Sequence, residues 1–207
     1  MTATHSPSSR PKGDKRARTR ARLMDAALEL TREKGFEHTT LQEIAGRAGM
    51  TTGAIYGNFQ NRDELFMALA ERQWAPVRPS FAPGSDFAAK MQAVAAAVIA
   101  ALPDRRDAAV GALTFRAYAL KHEEVRLAFR DRMAAGYAAG EAWFRTMTDE
   151  GELPMDAALL VRVINALIEG LMFQRFLTPE LIPDEVIYAA FAALAGPQAA
   201  PPTATPL

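Results

Sequence analysis

The chain has no cysteine and only three histidines among its 207 residues. Without cysteine there is no disulfide framework, thiolate nucleophile, zinc finger or iron–sulfur cluster. A metal centre would have to rest mainly on carboxylates, so no metal and no cofactor is expected. Net charge is lacking as well, because 24 Lys and Arg are balanced by 24 Asp and Glu. That excludes a uniformly basic, histone-like protein but leaves room for a local basic patch. No uninterrupted apolar run reaches the roughly 18 residues of a bilayer-spanning helix. The polar, basic stretch 1–22 lacks the apolar core of a secretory signal. The expectation is a cytoplasmic protein with no membrane partner. GxGxxG, P-loop, GxSxG and HExxH patterns are all missing, which argues against an enzyme.

What is present is helix-forming. Hydrophobic residues make up 49% of the chain, the proportion of a globular protein. Strand-like alternation is absent and alanine is abundant, so the fold class is all-α. Helices are expected at about 16–34, 41–48, 52–59, 62–75, 85–102, 107–121, 124–149, 155–177 and 184–195. The clearest loop is the Pro- and Gly-containing stretch 76–85. The expected organisation is a disordered basic arm (1–14), a helix-turn-helix module (15–62), a larger helical domain (63–196) and a disordered tail (197–207).

Charge is unevenly distributed. Residues 1–60 carry ten Lys/Arg against six Asp/Glu, a net of +4, and seven of those bases lie within 10–22. Such an arm fits a polyanion partner or a solubilising tail, and charge alone does not choose between them.

The first three helices have specific punctuation. Leu23, Ala26, Ala27 and Leu30 lie on one helical face. Lys34 and Gly35 form a C-terminal stop, after which Phe36 can fold back. Thr40 and Glu43 have the spacing of a capping box. Ile44, Ala45 and Ala48 then face inward, Gly49 turns the chain, Thr51 can cap the next helix, and Ile55 and Phe59 give that helix a buried face. Two short helices around a Gly turn have the arrangement of a helix-turn-helix, whose second helix enters the DNA major groove; helix–Gly–helix alone also fits a plain helical hairpin.

Residues 23–65 resemble the DNA-binding signature of the tetracycline-repressor (TetR) family of transcriptional regulators. The matching positions are Gly35-Phe36, Thr39-Thr40, Ile44-Ala45, Ala48-Gly49, Thr51, Gly53, Tyr56, Phe59, Arg62 and Leu65. Asn58 and Arg62 stand where the family often has His and Lys. The resemblance implies that Thr40, Tyr56, Asn58 and Arg62 donate hydrogen bonds to phosphates. Gln42, Thr52 and Gly53 would lie toward base edges, with Thr51 at the start of the reading helix. Arg16, Arg18, Arg20 and Arg22 would add phosphate or minor-groove contacts, though not all can face DNA if that stretch is helical.

The later helices serve a different purpose. Segment 155–177 carries one stripe of Leu160, Ile164, Leu167 and Leu171 and another of Val161, Ile168 and Met172. A helix apolar on more than one face is buried on both sides. The resemblance implies a four-helix homodimer interface built from the last two helices, here Leu160, Ile164, Leu167, Leu171, Val186 and Ala190, with Gly170 permitting a close crossing. A dimer matches a near-palindromic double-stranded DNA operator. Candidate effector-contacting residues are Arg116, Tyr118, His122, Trp143, Phe144, Met147, Asn165, Glu169 and Phe173. The apolar composition suggests a small hydrophobic effector that releases the operator by a population shift. The alternative is a helical protein–protein adaptor that does not read DNA sequence.

Overall fold

The computed structural model describes residues 12–148 and 151–196. Of the disordered arm expected at 1–14, residues 1–11 lie outside the described residues and 12–14 begin the first helix; the tail expected at 197–207 lies outside the described residues. Eight helices are present among those described: α1 (Lys12–Lys34), α2 (Leu41–Arg47), α3 (Thr52–Tyr56), α4 (Arg62–Gln73), α5 (Phe87–Lys121), α6 (Glu123–Met147), α7 (Ala157–Leu177) and α8 (Asp184–Leu194). No strand is found among them. The chain divides into two compact units. One holds residues up to Ala75 with Val110–Val125; the other holds Pro76–Ala109 with residues from Arg126 onward.

Three helix boundaries differ from the sequence reading, each for a physical reason. α1 starts at Lys12, about four residues early, its extra turn continuing N-terminally from a Lys, Arg and Ala run of strong helix formers at 15–22. α3 stops at Tyr56 rather than 59, with Gly57 at its C-cap. The two helices expected at 85–102 and 107–121 are one helix, α5, with Pro103 inside it. Proline removes one backbone bond and is normally a breaker. Here the buried residues Leu102, Arg105, Ala108, Ala109 and Ala112 continue one helical stripe past it, so packing on both sides holds the helix through the defect.

In the first unit the core gathers around Phe36. Gly35 adopts a left-handed φ of 86° and its N–H donates to Thr31 O at 2.9 Å, closing α1. The buried Phe36 ring then meets Phe66, Phe115 and Tyr118 edge-on at 4.6, 5.9 and 5.1 Å, a favoured arrangement of aromatic quadrupoles.

The second unit is mostly apolar. Its core joins Phe87, Met91, Val94, Val98 and Leu102 of α5, Phe144 of α6, Leu160, Val161, Ile164, Leu171 and Met172 of α7, and Ile187 and Phe191 of α8. α5 and α7 are long and apolar enough to cross a bilayer by length and mean hydropathy, 1.3 and 1.5. A core helix of a globular unit has the same character, and these two carry much of this unit's buried side chains. The close crossing lies at Gly140, where a Cβ would stand 2.9 Å from Val161 Cγ1. Gly170, expected to serve that purpose, is exposed with no atom within 4 Å of such a Cβ. One ion pair is nearly enclosed: Lys90 Nζ donates to both Glu152 oxygens, at 2.7 and 2.9 Å.

Candidate nucleic-acid interface

α2 and α3 are too short to be stable alone, since isolated helices below about 12–15 residues are marginal in water. Their ends are therefore informative. Thr40 caps α2: its Oγ1 accepts from Glu43 N at 3.3 Å, and Thr40 N donates to Glu43 Oε2 at 3.0 Å. This is the reciprocal capping box read from the sequence. The Lys34 ammonium also donates to Glu43. Chiefly through that bond, and then through Thr40, the Glu43 carboxyl is held down to about 2. α2 ends with Gly49 at φ 63°. Met50 N donates to Ala45 O at 2.8 Å and Gly49 N to Gly46 O at 3.0 Å, the paired bonds of a Schellman stop. The turn to α3 is thus fixed by backbone bonds that a Cβ at Gly49 would strain.

The outer side of these helices holds most of the expected DNA-facing set. Gln42, Thr51, Gly53 and Tyr56 are exposed and Thr52 is half-buried. Tyr56 is 57% exposed, whereas Ile55 and Phe59 beside it are buried. Thr40 is also exposed, though its hydroxyl is already engaged with Glu43, to which it donates at 2.7 Å.

Asn58 and Arg62 are placed otherwise than expected of phosphate donors. Because α3 ends early, Asn58 lies in the turn and its Nδ2 donates back to Ala54 O at 2.8 Å. Its Oδ1 is buried with no hydrogen-bond partner. Arg62, the first residue of α4, reaches back to the α1–α2 corner. Its Nε donates to Thr39 O at 3.0 Å and an Nη to Phe36 O. Its guanidinium also sits over the Phe36 and Phe66 rings at 4.1 and 4.8 Å. Both donors therefore satisfy carbonyls of the protein itself.

The arm arginines divide in the same way. Arg16 and Arg18 are exposed on α1. Arg22 Nη2 donates to Ala48 O at 2.7 Å, and Arg20 donates to Asn58 O while lying 4.1 Å over the Phe59 ring. No sequence pattern marked these two apart from their neighbours.

The expected effector residues are not one cluster. Arg116, Tyr118 and His122 belong to the first unit and the other effector candidates to the second. The Arg116 guanidinium is 5.6 Å from the Trp74 ring. Tyr118 and His122, stacked at 4.0 Å, line a cleft of about 350 Å³ with Phe36 and Arg62. In the second unit Trp143 packs on Phe81 and Phe144, and Phe144 is a core residue. Met147 is exposed, while Asn165, Glu169 and Phe173 are half-buried. None of these lines one cleft of about 430 Å³ in that unit, which is bounded by Ile99, Leu102, Arg106, Arg175 and Phe176 among others. Sequence reading missed Arg105, which is 7% exposed and donates to Met172 Sδ at 3.5 Å. Burial lowers its proton affinity, and the Glu169 charge opposes that. Its signal was the i, i+3 step from Leu102 to Ala108, hidden by the assumption of a loop at Pro103.

The residues expected at a dimer interface divide between core and margin. Leu160, Ile164 and Leu171 are buried in the unit's own core, and Leu167, Val186 and Ala190 pack against it half-buried. At 100° per residue both apolar stripes of α7 fall within about 140° of one face. They are one buried surface, not two opposed ones. The opposite face carries Leu159, Ala166, Gly170 and Leu177, all exposed.

Residues 23–69 match the family model for bacterial regulatory proteins, tetR family. The helix-turn-helix transcriptional regulator SrpR of Pseudomonas putida is 34% identical over 84 residues, 41% of this chain and 39% of SrpR. The regulator TtgW, also of Pseudomonas putida, is 34% identical over 84 residues, 41% of this chain and 63% of TtgW. The matched stretch spans less than two thirds of either relative's own length. The crystal structure of NalD, the secondary repressor of the MexAB-OprM multidrug efflux pump in Pseudomonas aeruginosa, superposes with a TM-score of 0.58 at 26% identity, over 88% of this chain and 95% of NalD. Residues 23–69 thus carry the N-terminal segment characteristic of the tetR family of bacterial regulatory proteins, on a fold similar to that of NalD.

Proposed function

We propose that this chain is a cytoplasmic, sequence-specific DNA-binding transcriptional regulator. It acts as a homodimeric repressor on a near-palindromic operator and is released by a small, largely apolar effector held in the second unit. The observation that carries the reading is the pair of short helices, capped and turned as described, that leave Gln42, Thr51, Gly53 and Tyr56 exposed together within the family-matching segment. An exposed Gln can bond two atoms of an adenine edge, and small residues let the backbone approach the groove. Tyr56 can donate its hydroxyl to a phosphate while its neighbours anchor the helix.

The repressor role is supported by what NalD is called. Dimerisation is supported by DNA geometry, since two reading helices must lie about 34–36 Å apart, or a multiple of it. The surface proposed for it is the outer face of α7, with Leu159, Ala166, Gly170 and Leu177, and the adjoining exposed Tyr188 and Ala192 of α8. Small residues there admit close helix approach.

The test is a fluorescence-anisotropy titration of the full chain against duplexes tiled across the DNA flanking its own gene, beside shuffled duplexes of equal length. Preferential binding with two subunits per site is expected. Tyr56→Ala should weaken binding to every duplex, and Gln42→Ala should relax preference at one or two bases of each half-site. Equal, weak binding to selected and shuffled DNA would overturn the reading and favour a helical adaptor.

A further inference from the structure

We propose that Arg20 and Arg22 are positioning residues for the DNA-reading helices and do not themselves contact DNA. The inference rests on the DNA-reading function proposed above. Four observations carry it. Ala48 is the C-cap of α2, and its carbonyl is one of the groups a helix end leaves without an internal partner. Arg22 supplies that partner at 2.7 Å from the next-door α1, placing a cation where the α2 dipole is negative. Arg20, two residues earlier on α1, donates to Asn58 O, one residue past the Gly57 C-cap of α3. It is held there from both sides, over the Phe59 ring at 4.1 Å and 3.8 Å from Glu64.

The need for such clamps follows from the size of the helices. α3 has five residues, one buried side chain of its own, Ile55, and no side-chain bond at its N-cap. The Schellman turn at Gly49 and the buried Ile55 and Phe59 seat it, and the guanidinium bonds tie its far end to α1. Base recognition tolerates displacements of only about 0.5 Å, so a guanidinium spanning from α1 to the end of each short helix sets where the reading surface points. α1 thereby carries α2 and α3 as one body. Arg20 and Arg22, the latter exposed like Arg16, each spend a donor on a carbonyl of the protein itself, so their guanidinium groups are held at the ends of α2 and α3 rather than left to follow a phosphate.

The experiment uses the full chain as wild type, Arg22→Gln, Arg22→Lys, Arg20→Gln and Arg16→Gln. Amide hydrogen exchange without DNA and DNA affinity across a salt series are both measured. Arg22→Gln and Arg20→Gln should speed exchange over residues 46–59 about tenfold, with the remaining helices unchanged. Affinity for the selected duplex should fall about tenfold, affinity for shuffled DNA should hold, and the slope of log affinity against log salt should stay within about half a unit. Arg22→Lys, which keeps a donor, should restore most of the selectivity. A phosphate contact would instead lower the salt slope by about 0.9 and weaken both duplexes alike; that result overturns the proposal. If the wild type prefers no duplex, the DNA-reading function fails, and exchange alone decides the clamp. Faster exchange over 46–59 sustains it, and unchanged exchange overturns it.

Discussion

The two units solve the packing of helices in opposite ways. The first is built from short helices whose ends are tied by polar bonds: a capping box at Thr40, a Schellman stop at Gly49, an Asn61 cap that accepts from Glu64 N at 2.8 Å, and arginines that reach between elements. Arg47 makes three of these bonds from α2 to α1, at 2.7 and 2.8 Å to Glu33 and 3.3 Å to Glu29. The second unit has long apolar helices, one nearly enclosed ion pair, and the buried Arg105. Polar ties fix direction, because a hydrogen bond fails steeply with angle. Apolar burial supplies stability without direction. A surface that must meet base edges needs the first kind. A unit proposed to hold a small apolar effector and a second subunit is served by the second.

The largest effects should come from the enclosed pair and the core of the second unit. Glu152→Ala leaves the Lys90 ammonium, whose side chain is 9% exposed, without its partner. The expected loss is about 3–5 kcal/mol of unfolding free energy by urea titration, most of it recovered when Lys90→Met is added. Equal instability of single and double variants would show that the pair is not what matters there. Leu160→Ala, at a fully buried position, should cost about 2–5 kcal/mol by the same measurement. Neither substitution touches the proposed DNA-facing residues. In binding assays run well below the unfolding midpoint, selectivity should therefore be retained.

Ala166→Arg tests the other face of the same helix. It places a charge on the exposed stripe with Gly170 and should convert dimer to monomer by light scattering, while the melting temperature of the monomer barely moves. A variant that stays dimeric would remove this stripe from the interface. Leu160→Ala and Ala166→Arg lie on one helix and should separate cleanly, stability from assembly.

How much of this could be read from the residues follows from the same contrast. The first unit is punctuated. Gly35, Thr40, Glu43 and Gly49 each do one local job that spacing reveals, so the all-α fold, the two short helices and their caps were legible. Asn58, Arg62, Arg20 and Arg22 were not, because their partners are backbone carbonyls 4 to 38 residues away. Sequence shows the donor and hides the acceptor. In the second unit, the segment 155–177 announced burial but not its direction. Pro103 concealed the continuity of α5 and, with it, buried Arg105. A breaker acts locally, whereas the packing that overrides it is tertiary.

The smallest expected effect concerns acid, and it probes the polar ties directly. Glu43 is held at about 2 in the folded chain against an ordinary 4.5, first by the Lys34 ammonium and then by the Thr40 hydroxyl and amide. A carboxyl depressed by folding stabilises the fold where it is ionised in both states, above about pH 4.5. That contribution is lost as pH falls toward about 2. Glu33, lowered mainly by its bond to Arg47, acts in the same sense. Glu43→Gln should therefore lower the melting temperature slightly at about pH 6 and make no difference near pH 2, flattening the acid limb between. Both groups are solvent-exposed, so high salt should shrink the difference at about pH 6. The enclosed Lys90–Glu152 pair should respond far less to salt, which turns ionic strength into a measure of how differently the two units are held. A Glu43→Gln variant whose melting curve runs parallel to wild type from about pH 6 to about pH 2 would show that the Glu43 charge and its bond to Lys34, though formed, are not what ties α2 to its neighbours.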